Sequence, residues 1–186
     1  MNDKKTTLYV DDDYESIRTL FKLRIAPLIL GLLLGFVISF VTSRFEEVLS
    51  HNVQVAFFLP FIVYIADALG TQTEAIYSRD LKTGKAKFAN YLRKELALGI
   101  IFGSLFGIFS GAIALLWLKN NLLAFSVTIA TFLSVAVAPL VALLITQFFQ
   151  LIHKDPAAGS GPVTTVVQDM ISVLIYGVAS SIIILS

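Results

Sequence analysis

Charged residues divide this chain into five long apolar stretches. Ile25–Ser43 carries no Asp, Glu, Lys or Arg, and Asn52–Ala66 is a second such stretch. The second reaches spanning length only by running on through Asp67 to about Thr73. Leu96–Leu118 and Asn120–Ile152 follow, the latter with Pro139 as a site for a kink; Pro156–Ser186 is interrupted by one charge, Asp169. A hydrocarbon core about 30 Å thick takes a helix of about 20 mostly apolar residues. The pattern predicts five membrane-spanning helices, at about 25–43, 53–78, 95–118, 122–152 and 162–185, so that 25–186 form one transmembrane domain. Residues 1–24 form a cytoplasmic N-terminal segment. There Tyr14, Ile17, Leu20 and Phe21 recur at helical spacing beside Arg18 and Lys22, the pattern of a helix lying in the membrane interface. The polar start with its acidic run Asp11–Asp13 does not read as a cleavable signal peptide.

Lysine and arginine fix the expected orientation. Of the fourteen, twelve fall on one side: Lys4, Lys5, Arg18, Lys22 and Arg24 before the first span, six from Arg79 to Lys94, and Lys154. Only Arg44 and Lys119 fall on the other. By the positive-inside rule the N-terminus is cytoplasmic and the C-terminus is outside. The expected fold class is therefore an all-α, multi-pass protein of the cell (inner) membrane with five transmembrane helices.

Composition narrows the chemistry. The chain is 56% hydrophobic and 15% charged, with mean hydropathy +0.82, against about 25% charged in a soluble domain. Without cysteine it has no disulfide, iron–sulfur cluster or thiolate zinc site. Two histidines, His51 and His153, leave little for a histidine metal centre. A net charge of +1 offers no footprint for nucleic acid. The basic run 79–94 reads as the positive-inside signal, with a nucleic-acid or anionic-lipid patch as the other reading. No Ser–His or Cys–His pairing suggests a nucleophile, so no enzyme is expected.

Gly99, Gly103, Gly107 and Gly111 place a glycine at every fourth residue of the third span, and Gly31-x-x-x-Gly35 is a shorter version in the first. Small residues at this spacing let helix backbones approach closely in lipid. Neither motif names a substrate.

Ionisable groups within spans are costly and usually face a cavity or a partner. Asp67, Glu74, Glu95 and Asp169 are the candidates here. On a helix, Pro162, Thr165, Asp169, Ser172 and Tyr176 form one polar stripe, as a pore wall requires; an interhelical hydrogen-bond seam is the alternative. In the second span Asp67, Thr71, Glu74 and Ser78 share a face, with Gln72 adjacent and Gly70 allowing a break. Glu74 also fits an interfacial position near Arg79, and a break at Gly70 would let Asp67 pair with Arg79 or Lys82. All these groups offer oxygen, which suits hard cations such as Mg²⁺. One stripe cannot encircle an ion, so a symmetric homodimer is expected, with two Asp169 carboxylates facing across the axis. A divalent cation between them would remove their repulsion.

DPAAGSGPVTTVVQDMISVLIY, from Asp155 to Tyr176, resembles the last-helix signature of the MgtE family of magnesium channels, with Asp155, Pro156, Pro162 and Asp169 in register. Phe45-Glu46 after the first span, Pro60, the stretch ADALGTQTEAIYSRDL and Lys94-Glu95 are similar to family features in the same order, over about residues 20–180. The resemblance implies a homodimeric Mg²⁺ path in which the last-helix aspartate, here Asp169, holds a largely hydrated ion, with Gly161 and Thr165 beside it. It departs where Asp67-Ala68 and Thr71 replace the family's glycine–asparagine turn, while Gly70 and Gln72 match. Gly161 likewise replaces an asparagine. Two amides near the path are thus missing and one carboxylate is added, which widens the expected ion range to Mn²⁺ or Co²⁺. About 20 residues precede the first span, so a membrane domain without the cytoplasmic CBS regulatory part is expected, gated differently or by a separate regulatory partner.

The expected function is divalent-cation transport, Mg²⁺ foremost, through a dimeric pore in the lipid bilayer. The expected metal-contacting residues are Asp169, Asp67, Thr165, Gln72 and Glu74. A carrier coupling Mg²⁺ to Na⁺ or H⁺ exchange is the alternative within the class. A non-transporting membrane scaffold is the alternative outside it, and a scaffold has no need of a lone Asp169 in a polar stripe.

Overall fold

The computed structural model describes residues 13–186. Lys4, Lys5, Asp11 and Asp12 lie outside the described residues. The described chain folds into α1 (Ile17–Ser43), α2 (Glu46–His51), α3 (Val55–Lys82), α4 (Phe88–Leu118), α5 (Asn121–Leu151) and α6 (Pro156–Leu185). All but α2 are long and apolar enough to cross a membrane.

The helices outrun the charge-free stretches. Lys, Arg and Glu are good helix formers, so α3 continues through Arg79 to Lys82 and α4 already begins at Phe88. Absence of charge marks only the part of each helix suited to hydrocarbon. At the N-terminus, α1 is continuous from Ile17 through Ser43, so Ile17, Leu20 and Phe21 fall in the first turns of the same helix as the first apolar stretch, while Tyr14 stands in the turn before it. Ser16 caps it, its hydroxyl accepting from Thr19 N at 3.3 Å. Lys119 takes a left-handed conformation at φ 52° to end α4, and Asn120 Oδ1 accepts from Leu123 N at 3.0 Å to start α5. A two-residue hairpin follows from that pair of caps.

The central helix is α5. It packs against α4, α6 and α3, while α1 reaches the bundle through α6. Glycine sets the α4–α5 distance. A Cβ on Gly99 would stand 2.6 Å from Ala136 O, on Gly103 2.7 Å from Phe132 O, and on Gly107 2.8 Å from Thr128 O. Each obstacle is backbone, so no side-chain rotation would relieve it. The α1 motif is only half used within the chain: Gly31 faces Pro162 O, whereas nothing stands within 4 Å of a Cβ on Gly35. Near α2, the Phe45 ring fills the space above Gly177 of α6. That contact seals a core of Val48, Val55, Phe58, Ile62, Leu123 and Tyr176.

Candidate functional site

Helices α3 and α6 run antiparallel, and three contacts set their register. Tyr176 Oη donates to Val55 O at 2.8 Å near one end. The Gln168 amide rests against Gly70 midway. Ser160 Oγ donates to Glu74 Oε1 near the other end.

Gly70 does not break α3. With the helix intact, the twelve residues from Asp67 to Arg79 span about 18 Å, and Arg79 Nε instead pairs with Asp80 Oδ1 at 2.9 Å. The expected alternative of Asp67 folding back onto Arg79 is thereby corrected. What glycine supplies at position 70 is room for a neighbouring amide.

Asp67 is half-buried, its Oδ1 enclosed without a hydrogen-bond partner. It lies within Coulombic reach of both Glu74, two turns along α3, and Asp169 on α6. Glu74 is half-buried against the start of α6. Besides Ser160 it has Gly161 beside it, where a Cβ would stand 3.6 Å from Glu74 Oε1. Thr164 Oγ1 lies close to the same carboxylate without meeting hydrogen-bond geometry. Asp169 is half-buried, and so is Thr165 one turn before it.

The fold thus brings Asp67, Glu74 and Asp169 to one side of the α3–α6 contact, with Thr165 on the Asp169 face. Gln72 does not join them: it is exposed on the single chain, as is Thr71. The α6 stripe also divides. Pro162, Thr165 and Asp169 are partly open, but Ser172 and Tyr176 are buried in the bundle. Among the described residues no three His, Cys, Asp or Glu side chains converge closely enough to grip a bare metal ion.

A second polar row stands beside the first. Ser160, Thr164, Gln168 and Ser172, each four residues from the next, are all buried. Sequence reasoning passed over this row because Gln168 adjoins Asp169 and the two stripes overlap; its signal was the unbroken i, i+4 spacing. Glu95 was singled out, but its partner was not. Thr73 Oγ1 donates to Glu95 Oε2 at 2.7 Å, a buried bond between α3 and α4.

The family model of MgtE, a divalent cation transporter, matches residues 59–179. The chain belongs to the MgtE family. The matched segment runs from α3 into α6 and contains Asp67, Gln72, Glu74, Thr165 and Asp169. Among MgtE relatives, the magnesium transporter MgtE of Bacillus subtilis (strain 168) is 30% identical over 164 residues, which cover 86% of this chain and 36% of that protein. The magnesium transporter MgtE of Enterococcus faecalis is 31% identical over 156 residues, 82% of this chain and 34% of that protein. That of Thermus thermophilus is 27% identical over 157 residues, 82% and 34%. The chain spans about a third of the length of the curated relatives it matches. MgtE is a family of transporters, not enzymes. With five apolar helices of spanning length, this MgtE member is a multi-pass membrane protein.

Proposed function

We propose that this chain forms a homodimer that moves divalent cations, Mg²⁺ first among them, across the bilayer along a path lined by α6 of both copies. One observation carries this reading. Asp169 stands half-buried on an apolar spanning helix, and the neighbouring charge within reach is a second carboxylate, Asp67, not a base. Two acidic groups held together in a low-dielectric span repel unless a proton or a cation offsets their charge, and a cation between them satisfies both at once. A twofold axis beside α6 doubles the set and leaves a gap for a hydrated ion. Mg²⁺ gives up its water reluctantly, so carboxylates acting through water suit it better than a tight cage. Asp169 is the principal ion contact, Thr165 lines the same face, and Asp67 and Glu74 add negative potential towards the Lys- and Arg-rich end. Gln72 joins the path from the exposed surface of α3 when the second copy closes on it. Attraction by charge, without the selecting geometry of amides, admits Mn²⁺ and Co²⁺ as well. The twelve Lys and Arg residues on one side favour a cytoplasmic N-terminus.

The test is flux of Mg²⁺ into proteoliposomes carrying wild type or Asp169→Asn. Loss of flux in a variant that elutes and melts like wild type supports the reading; wild-type flux from it removes Asp169 from the path.

A further inference from the structure

A cavity of about 220 Å³ lies beside the start of α4, at the Lys- and Arg-rich end of the bundle. Lys85 and Lys87 line it from the connection after α3; Asn90, Tyr91, Lys94 and Glu95 line it from α4. Three lysines against one glutamate leave an excess of positive charge. The acids at hand are engaged elsewhere. Asp80 accepts from Arg79 Nε at 2.9 Å and from Tyr91 Oη, and buried Glu95 accepts from Thr73 at 2.7 Å. Among the described residues, Lys85, Lys87 and Lys94 form no ion pair. Arg93 Nη2 donates to Asn90 Oδ1 at 2.9 Å, so the Asn90 NH₂ is the end left to donate.

Helix α4 adds to the same imbalance. Its N-cap is Lys87, no side chain of that residue caps the first N–H groups, and its first turn holds no acid. A helix N-terminus carries partial positive charge, which basic neighbours make worse and an anion relieves. The positive-inside rule accounts for lysines on this side of the membrane. It does not require three of them to share one cavity with an amide donor. Ammonium and amide N–H groups around a small cavity suit a phosphate. The rest of the same helix face indicates its source. Asn90, Lys94, Leu98, Ile101 and Leu105 follow at steps of four, four, three and four, one stripe along the helix. Leu98, Ile101 and Leu105 are exposed on this spanning helix. A basic cavity at the end of an outward apolar stripe fits a molecule with a phosphate head and hydrocarbon tails.

We propose that this cavity binds the phosphate of one anionic phospholipid, with its acyl chains along Leu98, Ile101 and Leu105. Lys87, Lys94 and Asn90 hold the phosphate, and Lys85 adds charge. None of these residues belongs to the proposed ion path, so the site does not depend on it.

The experiment is thermal unfolding of the delipidated full chain in neutral detergent, titrated with dioleoylphosphatidylglycerol, dioleoylphosphatidylcholine, glycerol phosphate or inorganic phosphate. Native mass spectrometry counts the lipid bound. The expected result is a saturable rise in Tm and one tightly bound phosphatidylglycerol per chain, with phosphatidylcholine and the two chain-free phosphates binding more weakly. Lys87→Gln and Lys94→Gln should each weaken phosphatidylglycerol binding roughly fivefold, the value of one lysine at an anionic surface. Lys154→Gln removes a lysine from the α5–α6 connection, outside the cavity, and should leave binding unchanged. Four results would overturn the inference: equal binding of phosphatidylcholine and phosphatidylglycerol; a chain-free phosphate as effective as the lipid, as for a free-phosphate site; unchanged binding in both Lys87→Gln and Lys94→Gln; or an equal loss in Lys154→Gln, as for diffuse surface charge.

Discussion

The side-chain amide of Gln168 rests on the bare backbone of Gly70, midway along the contact between α3 and α6. A Cβ on Gly70 would overlap that amide, and Gln168 is buried. Gly70→Ala should therefore destabilise the bundle by about 1–3 kcal/mol, the usual range for overpacking. Gln168→Ala should remove the obstacle, so the double variant should melt above Gly70→Ala alone. Additive losses in a double-mutant cycle would show that the two residues do not meet in this way.

The glycines of α4 face a harder obstacle than Gly70 does. Gly103→Ala sets a methyl group 2.7 Å from Phe132 O, and two helix backbones must separate to admit it. Gly35→Ala meets nothing within 4 Å. Melting in detergent should fall clearly for Gly103→Ala and stay close to wild type for Gly35→Ala. Equal behaviour of the two would remove the α4–α5 contact as the reason for the glycine repeat.

On the proposed path Asp67 adds its charge to that of Asp169, and each such charge in partly hydrated surroundings is worth on the order of 1 kcal/mol to a cation. Asp67→Asn should weaken binding of Mg²⁺, Mn²⁺ and Co²⁺ alike, by roughly fivefold, and sharpen discrimination among them because an amide replaces a charge. Isothermal titration of the three ions into wild type and variant measures both effects. Unchanged affinities with a lowered Tm would make Asp67 a structural residue.

The chain has no native cysteine, so single cysteines report proximity cleanly. Asp169→Cys should be joined to a second copy by a short thiol cross-linker in the bilayer, doubling the mass on a denaturing gel. Leu116→Cys, on the strongly exposed outer surface of α4, should stay at single mass. The reverse pattern would move the subunit interface away from α6.

Buried Glu95 accepts from Thr73 and ties α4 to α3. Thr73→Val keeps the shape and removes the donor, so it should cost about 1–3 kcal/mol by leaving a buried carboxylate short of a partner. Glu95→Gln, which retains an acceptor oxygen, should cost less. Equal Tm values for wild type and Thr73→Val would show the bond to be energetically idle.

Much of this molecule was legible from the order of its residues. Five spans followed from the lengths of the charge-free stretches, because a bilayer of fixed thickness reads hydrophobicity almost residue by residue. The close approach of α4 to a neighbour followed from a glycine at every fourth position, because the 3.6-residue turn brings those positions to one face. Asp169 and Asp67 were legible as the costly groups of an apolar chain. Which helix received the glycines, and which side of α6 faced inward, were not. Both depend on how helices far apart in sequence come together, and no local period encodes that. The Asp169 stripe shows the limit well: its regular spacing held, yet Tyr176 turned out to bond Val55 O inside the core while Asp169 stayed half-open. Periodicity assigns residues to a face. Only the packing of α3, α5 and α6 decides which faces meet one another, so only the tertiary structure brought Asp67 near both Glu74 and Asp169 and left Gln72 outside.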